Sequence, residues 1–106
     1  MTPDLKARFD SEVTNHPIVL FMKGNALFPQ CGFSARALQI LQQHGKVHTV
    51  DVLADPEVRQ GIKEYSNWPT IPQVFIHGKF VGGSDILMEL EDRGELADLV
   101  AGKTPA

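Results

Sequence analysis

Strand-like and helix-like patterns alternate along this chain and predict an α/β fold, a four-stranded mixed β-sheet flanked by helices on both faces. Ile18–Met22 is an unbroken apolar run of strand length, as expected for a central strand buried on both faces. Gln73–Ile76 and residues 79–81 are short apolar runs joined by His77-Gly78, a two-residue hairpin signal. Apolar residues at helical spacing lie before, between and after these runs.

Taken in order, Thr2 caps a first helix that opens on Pro3 and Asp4 and carries Leu5, Phe9 and Val13 at i, i+4 and i+8. Asn15-His16-Pro17 ends it before the central strand, and Lys23-Gly24-Asn25 turns the chain out of that strand. A second helix follows Cys31 with Ala37, Leu38 and Leu41 inward, and Gly45 is its expected stop. Val47, Val50 and Val52 suggest the second strand. Asp55-Pro56-Glu57 supplies a cap, an opening proline and a dipole-matched acid for a helix with Val58, Ile62 and Tyr65 on one side. Trp68-Pro69 and Ile71-Pro72 break the chain ahead of the hairpin. Ser84 and Asp85 open a helix carrying Ile86, Leu87 and Leu90, Arg93-Gly94 interrupts it, and residues 95–100 form a last short helix. The first two strands flank a helix and are expected to pair in parallel through a right-handed crossover.

At 106 residues, with 42% hydrophobic and 22% charged residues, the chain has the size and composition of one globular domain, residues 1–106. A net charge of -3 without a Lys/Arg cluster argues against nucleic acid or an anionic membrane surface as the main partner. No apolar run reaches the length of a membrane span, and the opening residues lack the apolar segment of a secretory signal, so a reducing, cytoplasmic location is expected. A single cysteine excludes an internal disulfide, and with it a stapled secreted scaffold.

That cysteine, Cys31, is the centre of the expected chemistry. A solitary cysteine is more often a buried, inert hydrophobe than a reactive group. Here it lies just before a helix, whose unpaired N–H groups and dipole favour thiolate; Gly32 beside it lets a ligand come close; and Lys23 offers positive charge. Ser34 stands where a C-x-x-C motif would place its resolving thiol, so any redox cycle needs a thiol from outside, of which glutathione is the abundant cytosolic source. His16, His44, His48 and His77 have no metal-ligand spacing and read as surface or turn residues. Tyr65 and Trp68 read as packing anchors, and Glu89, Glu91, Asp92 and Glu95 as a solvated helix face. Leu27-Phe28 make the loop before Cys31 apolar, either as loop packing or as a contact surface.

Four motifs stand in order: Phe21-Met22-Lys23-Gly24, Pro29-Gln30-Cys31-Gly32-Phe33-Ser34, Trp68-Pro69-Thr70-Ile71-Pro72-Gln73 and Gly82-Gly83-Ser84-Asp85. Together they make nearly the whole chain resemble a monothiol glutaredoxin of the thioredoxin fold. The resemblance implies a glutathione site in which Ile71, before a cis-proline, presents its backbone to the tripeptide. Lys23 and Arg59 would hold the glycine carboxylate, the N–H groups near Ser84 and Asp85 the glutamyl carboxylate, and the Asp85 side chain the ammonium. By residue type alone, Lys23 and Arg59 are equally solvated surface charges, Asp85 a helix cap and Ile71-Pro72 an ordinary turn; Ser34 has no assigned contact. The resemblance further implies a [2Fe-2S] cluster with Cys31 as metal ligand. Four thiolates are needed and the chain has one, so two chains and two glutathiones complete the set in a cluster-bridged homodimer. Its implied role is cluster transfer to acceptor apoproteins, with a BolA-like protein as a further partner. The alternative is a glutathione-dependent oxidoreductase that removes glutathione from protein mixed disulfides, with Cys31 as nucleophile.

Overall fold

The computed structural model describes residues 1–103. Its elements run α1 (Pro3–Thr14), β1 (Ile18–Met22), α2 (Gly32–Gln42), β2 (His48–Asp51), α3 (Pro56–Ser66), β3 (Gln73–Ile76), β4 (Lys79–Gly82), α4 (Ser84–Asp92) and α5 (Leu96–Val100). The four strands form one mixed sheet in the order β2-β1-β3-β4. β1 pairs in parallel with β2 and antiparallel with β3, which pairs antiparallel with β4.

The apolar run of β1 explains the layering. Successive side chains of a strand point to opposite faces, and all five residues of β1 are buried. Val19 and Phe21 enter a cluster with Phe9 and Val13 of α1 and Val58 and Ile62 of α3. Ile18, Leu20 and Met22 enter the opposite cluster, with Ala37, Leu38 and Leu41 of α2 and Leu87 of α4. Phe21 meets Phe9 and Phe75 edge-on, at ring-centroid distances of 5.7 and 5.6 Å.

Three boundaries differ from the expectation. α2 ends at Gln42, and Gly45 lies beyond it in a turn, because the Gln43 and His44 N–H groups already close the last turn onto Ile40 and Leu41 carbonyls. The β2 ladder holds only His48–Asp51, so Val47 and Val52 lie outside it, although the buried Val52 still donates its N–H to the Met22 carbonyl. β4 runs one residue further than expected, to Gly82. α3 closes on Asn67 in the left-handed conformation, with φ 55°, a backbone state that asparagine tolerates better than most residues.

Candidate functional site

Sheet register decides which loops meet. Phe21 pairs with Gln73, Met22 with Asp51 and Val74 with Gly82. The residues that follow β1 and β4 and those that precede β3 therefore emerge at one end of the sheet. There Lys23, Arg59, Ile71, Ser84 and Asp85 line a cavity of about 410 Å³, joined by Lys63. The Ile71-Pro72 peptide bond on its wall is cis. Among the described residues no ion pair engages Lys23, Arg59, Lys63 or Asp85. Three cations and one carboxylate thus face one hollow unneutralised by protein partners.

α4 begins at this cavity without a side-chain cap, because its N-cap is Gly83. A Cβ at Gly83 would stand 3.3 Å from the Pro72 carbonyl oxygen and 3.4 Å from Trp68 Nε1, so glycine keeps the approach between these segments open. The first N–H groups of a helix have no intrahelical partner and favour an anion. Trp68 does two things: its ring packs on Phe80, with centroids 5.6 Å apart, and it lines the cavity. Its role is therefore wider than the packing anchor the sequence suggested.

Cys31 is the N-cap of α2 and is half-buried. It makes no cap hydrogen bond of ordinary geometry, yet the Ser34 backbone N–H faces its sulfur and holds the thiol below its usual range, against an opposing effect of partial burial. The Phe33 N–H, the Ser34 hydroxyl and the Lys23 charge act in the same lowering direction. Ser34 is fully buried, and its Oγ accepts the Lys23 N–H at 3.1 Å. That bond leaves the hydroxyl proton available to the sulfur, so one side chain ties the end of β1 to the thiol.

The loop before Cys31 is held by its own atoms. Asn25 Oδ1 accepts the N–H groups of Leu27 and Phe28 at 3.0 and 2.9 Å, and the Gln30 N–H reaches the Lys23 carbonyl at 2.8 Å. Gly24 adopts φ +89°, and a Cβ there would stand 2.4 Å from the Phe28 carbonyl oxygen, so only glycine allows the turn. Its N–H is anchored by Asp51 Oδ1 at 3.0 Å. The result is an exposed apolar rim in which Leu27, Phe28 and Phe33 are 84, 68 and 63% exposed.

The glutaredoxin family profile matches residues 18–81, from the first residue of β1 to β4. The chain belongs to the glutaredoxin family. A ycf64-like, uncharacterized monothiol glutaredoxin of Synechocystis sp. is 58% identical over 94% of each chain. A mitochondrial monothiol glutaredoxin-5 of Lachancea kluyveri is 45% identical over 94% of this chain and 73% of its own. The solution structure of reduced poplar apo GrxS14 superposes with a TM-score of 0.86, at 49% identity over 95% of this chain and 94% of that one. This glutaredoxin is accordingly of the monothiol kind and the thioredoxin fold, with Cys31 its one cysteine.

Of the site residues predicted from sequence, Lys23, Arg59, Ile71, Ser84 and Asp85 share the cavity. Cys31 does not line it, and adjoins it through Phe33, which does. Sequence reasoning missed Ser34 as a contact and Lys63 as a lining residue. Lys63 was within reach, because it lies four residues after Arg59 on one helix and so shares its face. Among the described residues no three His, Cys, Asp or Glu side chains converge on a point that could hold a metal ion. The one thiol of the chain is Cys31.

Proposed function

We propose that this glutaredoxin carries a [2Fe-2S] cluster as cargo, bridged between two copies of the chain and completed by two glutathiones, and passes it to acceptor apoproteins. The observation behind this reading is one favoured thiolate at an exposed apolar rim, next to a cavity of complementary charge for a small zwitterionic peptide. Two irons with two bridging sulfides take four thiolates. Two Cys31 thiolates and two glutathione thiolates meet that count, with no resolving cysteine left to divert Cys31 into a disulfide.

In this reading Lys23 and Arg59 take the glycine carboxylate, the Ile71 backbone pairs with the tripeptide's own, and Asp85 with the α4 start takes the glutamyl end. Delivery is ligand exchange: an acceptor thiolate replaces one outgoing thiolate at iron, and no electron is transferred. Partners are a second copy, acceptor apoproteins and a BolA-like protein, in the cytoplasm. Among the described residues no helix is long and apolar enough to cross a membrane.

The lowered Cys31 thiol favours one second reading, glutathione-dependent reduction of mixed disulfides. Cys31 thiolate attacks the glutathione sulfur of a protein mixed disulfide and releases the protein thiolate. A second glutathione thiolate then attacks the Cys31-bound glutathione, giving glutathione disulfide and free Cys31 thiolate. Anaerobic reconstitution with iron, sulfide and glutathione separates the two. A coloured dimer with about two irons per two chains supports the carrier. A colourless monomer that rapidly reduces hydroxyethyl disulfide overturns it in favour of the reductase.

A further inference from the structure

Gln73 is the one polar residue of β3, and its chemistry does not match its surroundings. It opens the strand, pairs with Phe21 and shares a strand face with Phe75, two residues on. Phe21 and Phe75 belong to the apolar cluster that the sheet forms with α1 and α3. Gln73 is fully buried on that face, and it does not line the cavity at the thiol end.

Its amide holds the cavity wall from behind. Nε2 donates to the Trp68 carbonyl at 3.0 Å and to the Thr70 carbonyl at 3.2 Å. Neither carbonyl can donate, so turning the amide over would set Oε1 against two acceptors, and its orientation is fixed. Residues 68–72 all line the cavity. Pro69 and Pro72 lack an N–H, and among the described residues Pro69, Thr70 and Ile71 enter no backbone–backbone hydrogen bond. Among those residues the Trp68 and Thr70 carbonyls have no donor other than Gln73. One buried side chain thus supplies the polar ties of this wall. Gln73 Oε1 meanwhile has no partner among the described residues. A buried acceptor left unpaired lowers stability, and an apolar side chain would suit this layer, so what glutamine adds lies in its two donated bonds.

We propose that Gln73 is a positioning residue of the tripeptide site: by holding the Trp68 and Thr70 carbonyls it fixes the course of the Ile71 backbone, with which the backbone of glutathione pairs. This inference rests on the glutathione reading of the cavity. Gln73 touches no ligand and acts through the wall. A peptide pairs more tightly with a backbone already held in its bound course, because less freedom is lost on binding. The thiol has a separate support, in the Phe33 and Ser34 N–H groups, the Ser34 hydroxyl and the Lys23 charge. None of these is bonded to Gln73. Losing the Gln73 amide therefore weakens the tripeptide and leaves the thiol as it is.

The test compares the full chain with Gln73→Met, which keeps the length of the side chain and removes its donors. Binding of S-methylglutathione, whose sulfur cannot form a disulfide, is measured by calorimetry at a temperature where urea unfolding shows both chains folded. The variant should bind about fivefold more weakly, the equivalent of one ordinary hydrogen bond. The rate and pH midpoint of Cys31 alkylation should stay those of the parent. A merely structural role would lower the urea midpoint and leave the affinity of the folded chain alone. The parent gives a second measurement that does not depend on the variant's folding. In an NMR titration its Gln73 side-chain amide protons, although outside the cavity, should shift with the same midpoint as the Ile71 N–H. Equal affinity of parent and variant, or Gln73 amide protons that ignore the titration while the parent binds, overturns the role of Gln73 alone. An alkylation midpoint that moves in the variant overturns a role confined to the wall. A parent that does not bind S-methylglutathione overturns the glutathione reading, and this inference with it.

Discussion

The four longer helices begin in two different ways. α1 and α3 start under their own side chains: Thr2 Oγ1 accepts the Leu5 N–H at 3.2 Å, and Asp55 Oδ1 accepts the Glu57 N–H at 2.9 Å. α2 and α4 start under Cys31 and Gly83, which give no such cap. Both uncapped starts lie at the thiol end of the sheet, one at the sulfur and one on the cavity wall. A cap contributes about 1 kcal/mol to stability. Its omission at these two places leaves donors for a thiolate and a ligand, so local stability is given up where chemistry is done.

The sharpest way to break this comparison is to cap α2. Cys31→Ser puts a good N-cap residue at the helix start, and the variant should be more stable by about 0.5–1 kcal/mol in urea unfolding. Cluster formation and alkylation at this position should be abolished, as a hydroxyl stays protonated at neutral pH. A variant that is less stable, or that still binds iron and sulfide like the parent, would undo the contrast. At the second uncapped start, Asp85→Ala removes one charge-assisted hydrogen bond and should weaken glutathione binding about tenfold, read by calorimetry. Unchanged affinity would mean that the α4 start does not hold the tripeptide.

Smaller effects sharpen the comparison. The pH midpoint of Cys31 alkylation by iodoacetamide should lie below that of an ordinary thiol, and Ser34→Ala should move it partly back, because the Ser34 backbone N–H remains. The sign for stability follows by linkage. A thiol held lower in the folded chain adds stability that is full above the unfolded thiol's titration and is lost as pH falls through the folded one. Thr2→Ala or Asp55→Ala should cost about 1 kcal/mol each and leave the alkylation midpoint in place. A shift in that midpoint on losing either cap would show that the two kinds of helix start are not independent.

Much of this was legible in the sequence because it rests on local chemistry. The unbroken run of β1 announced burial on both faces, and Thr2-Pro3 and Asp55-Pro56 announced helix starts, each within a few residues. The strand ends were less legible. Val47 and Val52 have strand-like side chains, but the ladder is set by register against β1, which those residues do not encode. The role of Ser34 was hidden for a similar reason. Its partner, the Lys23 N–H, is 11 residues away and is brought near only by the loop between them. The histidines show the limit most plainly, since His16 and His44, which follow α1 and α2, meet His48 of β2 only after the sheet has formed.

The loop from Gly24 to Gln30 has a consequence for how such proteins diversify. Its turn is closed largely by its own bonds, from Asn25 Oδ1 to the Leu27 and Phe28 N–H groups and from Gln30 to Lys23, with Asp51 as an anchor at its base. The side chains of Leu27 and Phe28 point outward and contribute nothing to the core. The shape of the tip and the reactivity of the thiol are thus separable traits. Exchanging the tip residues changes the exposed surface of the rim, while the sulfur keeps its helix start, its serine and its lysine. A lineage can vary the tip without re-evolving the thiol.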